Sequence, residues 1–141
     1  YIMKKIFLLL FSVVLLTSCN KDDDNGGGNE QILGKWYVLE INNSGALNLQ
    51  VGECSSQSFI DFKADNTAES SYYSNESGTC ILESSDNDSW SNNGNSKYTF
   101  AVPFEDIGSL SGTVVFDSNS QFTFYPDILA GQNTNIVFEK R

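Results

Sequence analysis

The sequence predicts an all-β fold, an up-and-down meander of short strands that closes on itself as a barrel or a tightly rolled sandwich. From Leu33 onward no stretch keeps a helical apolar period over three turns, whereas short alternating runs recur between clusters of Gly, Asn, Asp and Ser. Aromatic residues are plentiful and suit a pleated, half-buried surface, while the polar clusters suit turns. The alternation is one-sided. A flat sheet would therefore expose its apolar face and its unpaired edges, and the meander must roll up.

Strands are expected near Gly34 to Ile41, Ser58 to Lys63, Thr67 to Ser74, Thr79 to Glu83, Ser89 to Ser91, Lys97 to Val102, Gly112 to Asp117, Phe122 to Tyr125 and Asn135 to Glu139. The turns Ala64-Asp65-Asn66, Asn92-Asn93-Gly94-Asn95 and Ser118-Asn119-Ser120 all tolerate the positive φ of tight hairpins. Period-2 alternation assigns the faces. Ile60 and Phe62 point inward and the charged Asp61 and Lys63 outward. By the same logic Tyr98, Phe100 and Val102 share a face, as do Val114 with Phe116, Phe122 with Phe124, and Ile136 with Phe138. Between Phe104 and Leu110 the pair Glu105-Asp106 fits a short turn or one helical turn.

The N-terminus carries an address. Tyr1 and Ile2 precede the expected start, Met3-Lys4-Lys5 is a short positive region, and Ile6 to Leu16 is apolar except for Ser12, too short for a permanent membrane span. Residues 1–18 read as a signal peptide. Leu16-Thr17-Ser18-Cys19 resembles the lipobox of bacterial lipoproteins, in which the Cys thiol receives diacylglycerol. Acyl chains on Cys19 would contribute about 0.8 kcal/mol per buried methylene and anchor the protein without spanning the bilayer. The segment 19–32 is then an acidic tether, because Asn20 to Glu30 has no apolar side chain to bury and cannot offset its own ordering entropy. Lys21-Asp22-Asp23 also resembles the surface-export signal of Bacteroidetes lipoproteins; the alternative is a solvated spacer with no address. The expected location is the outer membrane, lipid-anchored and exposed at the cell surface.

The remaining residues, 33–141, form one domain. Over the whole chain acidic residues outnumber basic ones 18 to 8, for a net charge of −10, so neither a nucleic-acid backbone nor an anionic lipid surface would attract the folded part. With Cys19 lipidated, Cys54 and Cys80 remain in an exported chain and should bond to each other, clasping the Val51 to Cys54 loop to strand Thr79 to Glu83. The rivals are free thiols or a metal site, and two Cys without His make a poor zinc site.

These residues bring a family into view. Leu33-Gly34-Lys35-Trp36, Glu53-Cys54, Gln57 to Phe62, Lys63 to Thr67, Tyr72-Tyr73, Thr79-Cys80 and Trp90 together resemble the lipocalin-like domain of many Bacteroidetes lipoproteins. The resemblance implies a barrel of eight strands, or nine, that can hold a small apolar molecule. It also implies a role for Gly34-x-Trp36, in which Trp36 plugs the closed end and Gly34 lets the backbone approach it. Two departures are Asn66 in place of the usual turn Gly, and a segment Pro103 to Leu110 longer than a tight hairpin.

With no His in the chain, the ordinary general base, the Ser-His-Asp and Cys-His arrangements and most transition-metal sites are absent, and no enzyme activity, cofactor or metal is expected. Asp86-x-Asp88 and Asp22 to Asp24 lack the ligands of a calcium loop and read as solvated turns. Gly26 to Gly28 is linker, not a phosphate cradle. The ligand-binding candidates are Tyr72, Trp90, Tyr98, Phe100, Phe122 and Phe124, which either line a calyx or fill a core. A filled core is favoured, since large inward side chains consume the volume a ligand needs. Two functions follow. One is a monomeric envelope lipoprotein that binds a small apolar or amphipathic molecule. The other is a non-catalytic surface lipoprotein with a packed core that contacts an envelope protein or a glycan.

Overall fold

The computed structural model describes residues 31–47, 49 and 52–141. The expected leader, Cys19 and the tether as far as Glu30 lie outside the described residues. The described residues form nine strands: β1 (Gly34–Asn42), β2 (Phe59–Phe62), β3 (Thr67–Glu76), β4 (Thr79–Ser89), β5 (Ser91–Gly94), β6 (Lys97–Ala101), β7 (Ser109–Ser118), β8 (Gln121–Pro126) and β9 (Asn135–Glu139). They make one antiparallel sheet in the order β4-β3-β2-β1-β9-β8-β7-β6-β5. The first and last strands pair with each other, Val38 opposite Phe138 and Ile41 opposite Ile136, so the meander curls round and leaves its seam between β4 and β5.

Alternation builds the interior as the sequence requires. Ile60, Phe62, Tyr98, Phe100, Val102, Val114, Phe122, Phe124, Ile136 and Phe138 are all buried, with Phe116 half-buried beside them. The rings pack in two groups: Phe62 meets Phe100 edge-on at 5.2 Å between centroids and Phe100 meets Phe124 at 4.5 Å, while Phe122 meets Phe138 at 4.9 Å. Such offset and edge-to-face contacts are the geometries that aromatic quadrupoles favour. Ile32, at the last position of the expected tether, is fully buried in this core.

Several local expectations are corrected. Ser89 to Ser91 is not a strand of its own: β4 runs on from Glu83 to Ser89, and Ser91 opens β5. Asn92 to Gly94 lies inside β5, and the reversal comes one step later, at Asn95 and Ser96 with φ of 52° and 61°. Ser118 to Ser120 turns without any positive φ; the Ser118 hydroxyl takes the Ser120 N–H instead, a local side-chain bond that stabilises an ordinary turn. The segment after Phe104 is a turn with no helix, and Leu110 belongs to β7. Ser77-Gly78, both at positive φ, makes the β3–β4 hairpin.

Cys54 sits on a short 3-10 turn, Glu53–Gln57, and is bonded to Cys80 at the start of β4, with their Cα atoms 5.3 Å apart. The clasp therefore joins the β1–β2 connection to the edge of the sheet.

Candidate binding site

The residues singled out in the sequence separate into an interior set and a seam. Trp90, Tyr98, Phe100, Phe122 and Phe124 are buried, the last three completely. Phe62 meets both Trp90 and Phe100, Trp90 meets Tyr98 and Phe100 meets Phe124, while Phe122 packs against Trp36, Phe116 and Phe138. Tyr98 places its phenol oxygen 3.1 Å from the amide nitrogen of Asn92, and burial pushes its pKa above the usual value, partly countered by that bond. Tyr72 is apart from this set. It is half-buried, with its ring 6.3 Å from Phe104.

Trp36 and Gly34, expected to close one end, both lie on β1. Trp36 is fully buried, its indole N–H donates to the Ile32 carbonyl, and it packs against Phe122 with the Lys140 ammonium 4.4 Å above its ring. Gly34 acts differently from the expectation. It adopts a φ of +102°, and a Cβ there would meet only the flexible end of Lys140 at 3.8 Å. Glycine is required here for its conformation, not for close approach to the tryptophan.

The seam is shaped by Trp90. Its backbone N–H donates to the Asn66 carbonyl at 2.8 Å and its indole N–H to the Lys63 carbonyl at 2.9 Å. The two bonds hold the β4–β5 junction under the β2–β3 turn. From there β5 pairs with β6 only from Ser91 opposite Thr99 to Gly94 opposite Lys97. Phe100 and Ala101 therefore have a strand neighbour on the β7 side alone. β4 diverges on the other bank, and the Asp88 carboxylate bridges the gap to the Ser109 hydroxyl at 2.9 Å. That bond and the Ser89 N–H hold the Asp88 carboxyl below the usual carboxylate range.

Between the two banks lies a solvent-open cleft of about 430 Å³. Its apolar floor is Ala101, Val102 and Phe104, all buried, with the half-buried Ile107. Ser70 and Ser84 stand on the β3–β4 side, and Asp86, Glu105 and Asp106 are exposed at the mouth. Among the described residues no lysine or arginine lines it. The Tyr72 phenol behind Phe104 is held above its usual pKa by burial first, then by the charges of Glu105 and Glu83.

Sequence reasoning named the two halves of this cleft without joining them. Asp86-x-Asp88 stood out only as a poor calcium loop and Pro103 to Leu110 only as an overlong connection. Neither signal carries the fact that β5 is too short to cover the end of β6, which is what brings the halves together. Among the described residues no three His, Cys, Asp or Glu side chains converge as metal ligands, and no helix is long and apolar enough to cross a membrane.

The family comparison agrees with the geometry. No curated protein matches the chain significantly. Residues 3–20 match the model of the prokaryotic membrane lipoprotein lipid attachment site, which makes the protein a membrane-anchored lipoprotein. Residues 32–124 match the model of the lipocalin-like domain, a span that takes in β1 to β7 and most of β8 with both banks of the seam, and the chain belongs to that family.

Proposed function

We propose that this lipoprotein is a non-catalytic binding module of the cell envelope that takes its ligand at the open seam, outside a solid barrel, and that the ligand joins an apolar part to a cationic group. One observation carries the reading. Five of the six candidate aromatics are packed ring against ring in the interior, while the cleft of about 430 Å³ offers an apolar floor beneath Asp86, Glu105 and Asp106. Ligand sites are concave and combine apolar surface with a few convergent polar groups, and the seam sets Ala101, Val102, Phe104 and Ile107 beside two serines and three carboxylates.

The remaining parts of the reading concern placement. Residues 1–18 act as the leader, Cys19 receives the acyl chains, and the following segment holds the domain off the membrane. The acidic run after Lys21 supports export to the outer leaflet of the outer membrane, where the domain works as a monomer. A packed interior equally supports an envelope protein as the occupant of the seam, since such a partner needs no cavity.

The test is a titration of the acylated protein in nanodiscs with dodecylamine and with dodecanoate, each below its micellar concentration. The amine is expected to bind, more weakly as salt screens the acidic mouth, and to lose at least tenfold in affinity in the Asp86→Asn/Glu105→Gln variant. Tighter binding of dodecanoate, or amine binding indifferent to those two substitutions, would overturn the reading.

A further inference from the structure

We infer that the occupant of the seam is an extended basic peptide, which adds to the free edge of β4 as a further strand and fills the wedge that β5 leaves beside β6. The inference rests on the seam being the binding site and names what enters it. Four observations meet there. β4 is eleven residues long, stands at the end of the sheet order and is exposed along most of its length. A long exposed edge presents a row of backbone donors and acceptors that pairs readily with another chain. Across the cleft, Ala101 at the end of β6 has a strand partner only in β7 and lines the opening. The cleft between these edges has an apolar floor at Val102, Phe104 and Ile107 and an acidic mouth at Asp86, Glu105 and Asp106.

The side-chain requirements follow from the period of two. Successive residues of an added strand face opposite sides, so one set would lie on the apolar floor and the other would meet the acidic mouth. Alternating apolar and Lys or Arg residues satisfy both, and acidic peptides are repelled. An edge strand ordinarily guards itself with lysine or proline; β4, reading Thr-Cys-Ile-Leu-Glu-Ser-Ser-Asp-Asn-Asp-Ser, has neither. Its only charges are acidic, so the edge rejects a second copy of this acidic chain while remaining open to a basic one.

The experiment uses the full acylated protein in nanodiscs and four probes: an alternating Lys-Val peptide of seven residues, its Glu-Val counterpart, the Lys-Val peptide N-methylated at alternate amides, and dodecylamine. Affinity is measured by calorimetry and amide exchange is followed through β4. The Lys-Val peptide is expected to bind and to slow exchange at the edge amides between Ser84 and Asp88 at least tenfold. The Glu-Val peptide is expected to show no binding, and N-methylation to weaken binding tenfold or more by removing the edge hydrogen bonds. Binding of dodecylamine together with no binding of the Lys-Val peptide would overturn the peptide inference and leave the seam reading intact. Equal binding of the N-methylated peptide, without protection of β4, would overturn strand addition. Failure of both the peptide and the amine would remove the seam reading as well.

Discussion

The ring of Phe124 occupies the space that a side chain on Gly112 would need. A Cβ at position 112 would lie 2.6 Å from the Phe124 ring and 2.3 Å from the Tyr125 carbonyl oxygen. Gly112 sits on β7 opposite Pro126, one inward step from the pairing of Val114 with Phe124, so the missing side chain lets the ring lie flat against the neighbouring strand.

Gly112→Ala should therefore destabilise the fold by about 1 to 3 kcal/mol, the usual cost of overpacking a core, and by more where the backbone of β8 must shift. Gly45→Ala, where nothing lies within 4 Å, is the matched control and should stay within about 0.5 kcal/mol. Urea denaturation of the two variants checks both values.

The Cys54–Cys80 bond closes a sequence separation of 26 residues. The chain-entropy model assigns a loop of that size about 3.5 kcal/mol of stabilisation at room temperature. The Cys54→Ala/Cys80→Ala variant is expected to lose most of this in equilibrium unfolding, and amide exchange should quicken first at the start of β4, where the clasp ends. Unchanged stability on reduction would contradict the assignment.

Trp36→Phe tests the plug. The Ile32 carbonyl loses its indole donor in a buried place, which costs about 1 to 3 kcal/mol, and the smaller ring leaves a gap beneath Lys140. Trp36→Ala should cost about 3 to 5 kcal/mol. The difference between the two variants, read from thermal or urea midpoints, separates the hydrogen bond from the packing.

At alkaline pH the buried tyrosine becomes informative. Burial raises the folded-state pKa of Tyr98, so the folded protein keeps a proton that the unfolded chain gives up near pH 10. Its contribution is present in full below that pH and is lost as pH rises through the folded value. Tyr98→Phe should remove this part of the alkaline decline. The check is the difference in unfolding free energy between variant and parent from about pH 8 to about pH 11, since lysines titrate alike in both.

How far the sequence anticipated this molecule can be argued from single elements. Ile60, Phe62, Phe122, Phe124, Ile136 and Phe138 were legible because a one-sided period of two needs only local chemistry. The Cys54–Cys80 bond was legible because two cysteines in an exported chain have few alternatives. Trp90 was not. It reads as the middle of a strand, and only its bonds to Lys63 and Asn66, far back in the chain, turn it into the corner where the sheet breaks. Gly112 carries no positive φ and gives no turn signal; its reason is the ring on the neighbouring strand. The seam depends on how far β5 extends relative to β6, and strand ends are set by long-range pairing that local patterns do not encode.

Methyl chemical-shift mapping with dodecylamine separates a ligand held at the seam from one that enters the interior. Shifts are expected at Ala101, Val102 and Ile107, with Ile60, Val114 and Ile136 unmoved in the interior. Shifts concentrated at Ile60, Val114 and Ile136, with the seam methyls still, would contradict it.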